Sequence, residues 1–205
     1  MELFYFNKDN INDIIECGID EAGRGPLIGN VYAAAVIWPL HLEPDKNLIK
    51  DSKKLSNKKR LKAIEWINKN IPYYGIGYAT NQEIDSFNIL EATKLAMERA
   101  INNLQLKSTH YIIDGIGWEK KFNNLNNVKS IIKGDDHYYS IAAASILAKV
   151  HHDQHIIDLC KLYPELNEKY QLESNMGYGT KKHIEGIKNY GHSEHHRKSF
   201  KIKCA

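Results

Sequence analysis

Long apolar runs are missing from this sequence of 205 residues. The longest uninterrupted apolar run covers residues 31–38, far short of the roughly 20 residues that span a bilayer. Residues 1–13 already carry Glu2, Asp9 and Asp13, which is unlike a secretory signal. We therefore expect neither a membrane span nor a signal peptide, and the 42% hydrophobic and 26% charged residues indicate a soluble globular protein.

Cysteine and proline are scarce as well. Cys17, Cys160 and Cys204 are an odd number at unrelated spacings, with neither a Cys-x-x-Cys pair nor a disulfide framework. This usage predicts a reduced, cytoplasmic protein. The chain has only five prolines, and no repeat or Pro/Gly/Ser linker divides it. We predict a single domain over residues 1–205.

The net charge of +3 says little about partners, but the charges are unevenly distributed. Residues 50–60 hold six lysines or arginines against Asp51 alone, and residues 179–205 hold seven against Glu185 and Glu194. Two basic stretches far apart in sequence could converge on a polyanion. The alternative is that these lysines only solubilise helix faces.

Turn residues and hydrophobic periodicity divide the chain into alternating strands and helices. Two apolar runs flank the glycine-rich turn 23–29, and Ser56 precedes apolar residues at helical spacing, as an N-cap would. Strands are predicted at 16–20, 31–38, 72–80, 111–114 and 128–132, and helices at 57–70, 81–105 and 140–151. This order predicts an α/β fold with a mixed β-sheet flanked by helices, because its first strands follow one another through short turns.

Four acidic residues fall at or just after the ends of predicted strands: Asp20, Glu21, Asp114 and Asp135. In an α/β sheet such positions face the crevice where ligands bind. Carboxylates clustered in a dry crevice repel one another and raise each other's pKa values unless a cation neutralises them. For any one of these acids, a capping or surface role is an ordinary alternative, but all four share the same placement.

Oxygen-only ligands favour Mg²⁺ or Mn²⁺. Two such ions about 3.5–4 Å apart can activate water and stabilise the leaving oxygen in phosphodiester cleavage. The acids therefore predict a site for one of these cations. Zinc is suggested by His151, His152 and His155 and by a second group, His192, His195 and His196, but it is the weaker alternative because no cysteine has suitable spacing. His196 is instead expected to support the C-terminal segment.

Several further motifs accompany these acids in a fixed order. They are Gly18-Ile-Asp-Glu-Ala-Gly-Arg-Gly-Pro26, Asp51-Ser-Lys-Lys-Leu-Ser56, Tyr111-Ile-Ile-Asp-Gly115, Lys133-Gly-Asp135, Ile141-Ala-Ala-Ala-Ser-Ile-Leu-Ala-Lys149, Gly177-Tyr-Gly-Thr180 and His196-Arg-Lys-Ser-Phe200. With these motifs the chain resembles type 2 ribonuclease H, the bacterial ribonuclease HII family, over residues 18–200. Ordered motifs of this number are specific, whereas Asp-Glu or Gly-x-Gly alone would be weak evidence.

The resemblance implies a ribonuclease H-like fold with an α/β core to about residue 160 and a helical C-terminal segment, about 161–205, that completes the substrate groove. It implies a monomeric endonuclease that cuts RNA in RNA-DNA hybrids and cuts on the 5′ side of single ribonucleotides in duplex DNA, leaving 3′-OH and 5′-phosphate ends. Asp20, Glu21, Asp114 and Asp135 would be the catalytic residues that bind two Mg²⁺ or Mn²⁺ ions. Asp136 is ambiguous, but the Lys-Gly-Asp motif selects Asp135.

Substrate contacts are predicted at the turn Gly23-Arg24-Gly25, at Tyr178 and at Lys53. The glycine-flanked turn exposes backbone groups that could read a ribose 2′-hydroxyl, and the resemblance implies that use; the alternative is a tight turn with a surface arginine. Tyr178, between two glycines, could stack on a sugar or base, or could be an ordinary half-buried tyrosine. Lys53 could meet a phosphate or simply be solvated.

The chain departs from the family at Met176, where a lysine is usual, so a phosphate-facing cation could be missing unless Lys181 or Lys182 replaces it. Two rivals remain. One is another nuclease of the same fold, such as the type 3 enzyme, which typically has an extra N-terminal domain, whereas about 15 residues precede the first strand here. The other is a catalytically silent nucleic-acid-binding module, against which the four acids argue, because unpaired acids repel phosphate.

Overall fold

Five strands form a mixed sheet within residues 1–8 and 13–201, the residues that this computed structural model describes. The strands are β1 (Glu16–Ala22), β2 (Val31–Ile37), β3 (Tyr74–Ala79), β4 (His110–Asp114) and β5 (Val128–Ile131). Their order in the sheet is β3-β2-β1-β4-β5. β1 pairs antiparallel with β2 and β2 with β3, whereas β1 and β4 are parallel, as are β4 and β5. The predicted mixed sheet is confirmed.

Helices cover both faces of this sheet. They are α1 (Asn57–Asn70), α2 (Asn81–Phe87), α3 (Ile89–Asn102), α4 (Gly134–His137), α5 (Tyr139–Leu162), α6 (Pro164–Tyr170), α7 (Leu172–Asn175) and α8 (Lys181–Tyr190). Successive side chains of β2 alternate between the faces. Ala34 and Val36 pack with α1 and α5, whereas Ala33 and Ala35 pack with α3. The alanine-rich start of α5 is buried in the core, as its composition predicted.

The predicted helix 81–105 is wrong at Asn88 and ends three residues early, at Asn102. Asn88 adopts φ 72°, which interrupts the helical backbone, and its side chain accepts hydrogen bonds from the N–H groups of Leu90 and Glu91. It therefore ends α2 and caps the start of α3. Thr80 and Glu83 form a capping box at the start of α2.

The C-terminal third is helical, as predicted, but α5 extends to Leu162, eleven residues beyond the predicted 151. It therefore runs across the predicted boundary near residue 160, and a cluster of buried side chains that includes Ile156, Leu166 and Ile187 joins α5, α6 and α8. The division into a core and a C-terminal segment stays a prediction.

Cys17 and Cys160 are free and buried, whereas Cys204 lies outside the described residues. No helix among the described residues is both long and apolar enough to cross a membrane.

Candidate active site

The parallel pairing of β1, β4 and β5 brings the acidic residues to one edge of the sheet. Ile19 pairs with Ile113, so Asp20 and Asp114 follow neighbouring positions on adjacent parallel strands. Asp114 pairs with Ile131 at the end of β5, and Asp135 follows in the short helix α4. Asp20 and Glu21 lie within the last three residues of β1 rather than after the strand, because β1 extends to Ala22.

Burial and mutual repulsion raise the pKa of all four carboxyl groups. Burial, followed by repulsion from Glu21 and Asp114, raises the pKa of Asp20 well above its ordinary value. The same causes, burial first and then Asp114, raise the pKa of Asp135 to about 6. Burial also raises the pKa values of Glu21 and Asp114, against the opposing effects of Arg24 and Lys53. The acids thus form a cluster that gains stability from a cation.

The oxygen atoms of this cluster fit a hard divalent cation. Asp20 Oδ1 accepts the Glu21 N–H at 2.7 Å, and Asp114 Oδ1 accepts the Gly134 N–H at 2.7 Å. Glu21 Oε1 binds Arg24 at 3.0 Å, but the buried Oε2 has no hydrogen-bond partner among the described residues. No group of three or more Asp, Glu, His or Cys side chains within 1–8 and 13–201 stands ready around one metal position. The fit therefore rests on the donor chemistry, the raised pKa values and the unpartnered Glu21 oxygen.

Asp135 and its neighbour Asp136 have different surroundings. Asp135 is buried and is repelled by Asp114, whereas the partly exposed Asp136 forms an ion pair with Lys54, which lowers the pKa of Asp136. Only Asp135 belongs to the acidic cluster. Lys54 therefore pairs with an acid outside the cluster.

Lys53 and Asp51 frame the cluster from the 3₁₀ helix Ser52–Lys54. Burial disfavours the charged form of Lys53, but the attraction of Asp135 and Asp51 more than compensates and raises its pKa. Asp51 is buried, and its Oδ1 accepts the Lys53 N–H at 2.9 Å. Asp51 is thus a fifth acid near the site, which the strand-end pattern missed because it precedes a helix.

A cavity of about 200 Å³ adjoins the acids and is lined by all five predicted substrate-contact residues. Its lining includes Glu21, the turn Gly23-Arg24-Gly25, Lys53, Lys149 and Tyr178. Gly23 has φ 87°, and a Cβ there would lie 2.2 Å from a His152 ring carbon, so only glycine fits this turn. The turn and the tyrosine, more than 150 residues apart in sequence, therefore form one site with an acid of the cluster.

Tyr178 is half-exposed, and its ring is supported by a side chain that the sequence analysis did not single out. The Lys149 ammonium lies 5.5 Å from the centroid of the Tyr178 ring and 2.7 Å from Asp153 Oδ1. The i,i+4 spacing of Lys149 and Asp153 on α5 could have indicated this ion pair from the sequence.

Met176 is partly buried and packs against the cluster of α5, α6 and α8, so this position supplies no positive charge to the site.

Two of the six histidines considered as zinc ligands, His152 and His196, make contacts with other side chains. His196 is buried with its Nε2 atom 3.1 Å from that of His183, and its Nδ1 accepts the Ser193 N–H at 2.9 Å. His152 lies 3.0 Å from Asp153 through Nδ1, while its buried Nε2 has no partner among the described residues. Burial lowers the pKa values of His152, His183 and His196, so these three imidazoles are neutral at pH 7.

The mixed sheet, the acids at its edge and the adjoining cavity define a nuclease of the ribonuclease H-like fold. A family model for ribonuclease HII matches residues 17–203. The chain belongs to the ribonuclease HII family, whose members are endonucleases that hydrolyse RNA in RNA-DNA hybrids.

Individual relatives agree with this assignment. The chain is 50% identical over 196 residues to a ribonuclease HII of Orientia tsutsugamushi strain Ikeda, covering 96% of this chain and 90% of the relative. It superposes on the crystal structure of ribonuclease H2 from Pyrococcus horikoshii with a TM-score of 0.68 at 28% identity, covering 91% and 94% of the two chains. The Bst ribonuclease HIII solved with Mn²⁺ has the same fold, with a TM-score of 0.63 at 17% identity, covering 86% of this chain and 70% of that one.

Proposed function

We propose that this protein cuts duplex DNA on the 5′ side of an embedded ribonucleotide, as well as the RNA of RNA-DNA hybrids, and leaves 3′-OH and 5′-phosphate ends. The observation that carries this proposal is the shared cavity, which joins Glu21 of the acidic cluster to a glycine-flanked turn and to Tyr178. A nuclease that selects a lone ribonucleotide needs such a combination, since the 2′-hydroxyl is the feature that distinguishes it from its DNA neighbours.

Asp20, Glu21, Asp114 and Asp135 are proposed to hold two Mg²⁺ or Mn²⁺ ions. The Mn²⁺ complex of the Bst ribonuclease HIII, which shares the fold, is consistent with this choice. When bound, such ions activate the attacking water and stabilise the leaving oxygen. The unpartnered Glu21 Oε2 and the raised pKa values of the acids support this role.

The remaining side chains bind and orient the duplex. Lys53, beside the acids, supplies positive charge for a phosphate next to the cut. The main chain of Gly23-Arg24-Gly25 contacts the ribose, and the Arg24 guanidinium holds Glu21 Oε1 at 3.0 Å. The ring of Tyr178 stacks on the sugar that follows the ribonucleotide, with Lys149 behind it. We further propose that the protein acts as a monomer in the cytoplasm.

One digestion tests this proposal. A DNA duplex with a single embedded ribonucleotide is incubated with and without Mg²⁺, and the cut is mapped at nucleotide resolution. We expect one cut, on the 5′ side of the ribonucleotide, only when the metal is present. Cutting elsewhere, or of long RNA-DNA hybrids alone, would reject the ribonucleotide specificity. Tight duplex binding without metal and without cleavage would favour a binding module instead.

A further inference from the structure

Arg197 is a buried arginine whose guanidinium contacts the main chain of the loop formed by residues 23–30. Its relative exposure is 1%, although its place in a basic stretch suggested a surface cation. The guanidinium donates from Nε to Gly29 O at 2.9 Å, from Nη1 to Arg24 O at 3.1 Å and Pro26 O at 2.7 Å, and from Nη2 to Gly23 O at 2.7 Å and Asn30 O at 3.0 Å. All five N–H groups of the guanidinium are therefore used by one loop.

The charge of Arg197 is balanced by carbonyl dipoles rather than by an acid. In the described parts of the chain no carboxylate lies within ion-pair distance of the guanidinium, and the Phe200 ring centroid lies 5.2 Å from its central carbon. Burial lowers the pKa of Arg197 to about 10, so it stays charged at neutral pH. A buried charge is tolerated only when its donors are satisfied, and a lysine has neither the five donors nor the planar fork to satisfy these carbonyls.

This contact fixes which backbone groups the loop presents outward. In a trans peptide the C=O and the following N–H point in opposite directions, and the described residues contain no cis peptide. Because the carbonyls of Gly23 and Arg24 point at Arg197, the N–H groups of Arg24 and Gly25 point away from it. Among the described residues, neither N–H donates to a protein acceptor. Two unused donors thus lie in the turn that lines the cavity.

The segment that carries Arg197 is anchored to α2 and is also paired with the loop through two main-chain hydrogen bonds, from the Gly29 N–H to His195 O at 3.0 Å and from the Arg197 N–H to Leu27 O at 2.8 Å. Asn81 in α2 donates to Glu194 O at 2.8 Å, and Asp85 accepts the N–H groups of Lys198 at 3.0 Å and Ser199 at 2.9 Å. These bonds hold both sides of Arg197 against the core. The guanidinium is therefore held both from α2 and from the main chain of the loop, and its five donors bind loop carbonyls other than the one that the main-chain bonds use.

We propose that Arg197 is a positioning residue for ribonucleotide recognition: by binding the carbonyls of the loop 23–30 it sets the N–H groups of Arg24 and Gly25 to receive a ribose 2′-hydroxyl. This rests on the proposed reading of the 2′-hydroxyl by that turn. Arg197 itself touches no substrate. Its loss should therefore weaken the discrimination of the 2′-hydroxyl more than the cleavage step.

The test compares two duplexes that differ only at the 2′ position of one nucleotide, which carries either hydroxyl or fluorine. The measured quantity is the ratio of kcat/KM for the hydroxyl duplex to kcat/KM for the fluoro duplex. A partly unfolded preparation lowers both values equally, so the ratio reports recognition rather than stability. For Arg197→Lys we expect the ratio to fall roughly tenfold to a hundredfold, since small misplacements of binding groups have effects of that size.

Arg99→Lys is the matched control. Arg99 binds the Glu83 carboxylate at 2.7 and 2.9 Å and the Tyr78 carbonyl at 2.7 Å, and none of its hydrogen bonds goes to the loop 23–30. We expect this variant to lose stability but to keep the wild-type ratio. An unchanged ratio in Arg197→Lys, or an equal fall in Arg99→Lys, would overturn the inference.

Two further outcomes are informative. If the wild-type protein cuts both duplexes equally, the proposed 2′-hydroxyl reading fails, and that result is distinct from a failure of Arg197 alone. If Arg197→Lys cannot be recovered folded, Phe200→Leu removes the ring beside the guanidinium while leaving its donors in place. A smaller fall of the ratio in the same direction is then expected, and no fall would reject the role of Arg197.

Discussion

The ring of Tyr178 lies beside Gly25: a Cβ built on Gly25 would lie 3.3 Å from the Tyr178 Cε1 atom. Gly25 belongs to the turn proposed to contact the ribose, and Tyr178 is the residue proposed to stack on the next sugar. The turn and the aromatic ring therefore lie so close within one cavity that a methyl group added at Gly25 would press on the ring. A substitution at either residue should therefore alter the position of the other.

Gly25→Ala should act through Tyr178. The added methyl group is slightly too close to the ring, so the ring must move by a few tenths of an ångström. Because the ring is partly exposed and can move, we expect a loss of stability of about 1 kcal/mol and a clear loss of cleavage at a single ribonucleotide. A double-mutant cycle checks the route: Gly25→Ala should have little further effect when Tyr178 is already alanine. Additive effects of the two changes would contradict a shared role.

Tyr178→Ala should impair cleavage of a single embedded ribonucleotide more than cleavage of a long RNA strand. A long hybrid offers many productive registers, whereas a lone ribonucleotide must be placed by the ring. The stacking of one aromatic side chain is worth about 1–3 kcal/mol, so kcat/KM on the single ribonucleotide should fall by about tenfold or more. Tyr178→Phe keeps the ring and should stay near wild type. Equal losses on the two substrates would contradict the stacking role.

Much of the candidate site was predictable because its residues follow local rules. The strand end at Asp114 was visible where an apolar run meets an acid and then a glycine, and the same pattern placed the end of β1 at Asp20, two residues before its end at Ala22. The parallel pairing that brings them together follows from the order of the elements. The break at Asn88 was not predictable from periodicity, because the apolar positions of α2 and α3 continue one another across it.

Arg197 illustrates what sequence patterns cannot reveal. Its five partners are main-chain carbonyls of residues 23–30, and a carbonyl leaves no trace in the identity of a side chain. The motif His196-Arg-Lys-Ser-Phe200 marks the position of Arg197 in the sequence but not the groups that it binds. Similarly, the burial of Met176 depends on how α5, α6 and α8 pack, which no local motif encodes.

Asp135→Asn should abolish cleavage, by about a thousandfold or more, because removing a proposed metal ligand removes several kcal/mol of transition-state stabilisation. Duplex binding should survive. Asp136→Asn is the matched control, since Asp136 pairs with Lys54 outside the acidic cluster. Residual activity within about tenfold of wild type in Asp135→Asn would contradict the assignment, as it would for Asp20→Asn.

The same Asp135→Asn change should stabilise the metal-free protein at neutral pH. Burial and repulsion by Asp114 raise the pKa of Asp135 from 3.8 to about 6. The folded state thus keeps a proton that the unfolded state loses above 3.8, so the stability contribution is lost as the pH rises from 3.8 to 6. Because one pKa unit corresponds to about 1.4 kcal/mol, and solvent screens part of the repulsion, we expect a gain of about 1–2 kcal/mol in urea unfolding. Mg²⁺ should then stabilise the variant less than wild type.

Met176→Lys should tighten duplex binding and steepen its salt dependence. The stem of a lysine can lie along the apolar cluster that Met176 now covers, with the ammonium in solvent. One added phosphate contact should change the slope of log K against log salt by about 0.9. Met176→Leu, which adds no charge, is the control. An unchanged slope would show that the position does not face a phosphate.

The buried pair His183 and His196 should make the protein unstable in mild acid. Their Nε2 atoms lie 3.1 Å apart, so one ring donates a hydrogen and the other accepts it, and a proton added to either ring destroys that arrangement. Burial first, and then the neighbouring imidazole, lowers the pKa of His196 to about 3, and burial also lowers the pKa of His183.

The sign of this effect follows from the lowered pKa values. The unfolded chain takes up protons below 6.5, whereas the folded state excludes them. The stability contributed by the neutral pair is therefore complete above 6.5 and is lost as the pH falls, by about 1.4 kcal/mol per pH unit for each excluded proton. His196→Gln should reduce this slope by at least one such proton, measured by urea unfolding from neutral pH to about pH 5. The exposed His41 changed to Gln is the control. The acidic cluster changes stability with pH in the opposite direction, but it does so equally in wild type and in both variants. The difference between the pH slopes of the three proteins therefore reports the histidine pair alone. Equal slopes in all three proteins would show that the pair is protonated without loss of stability.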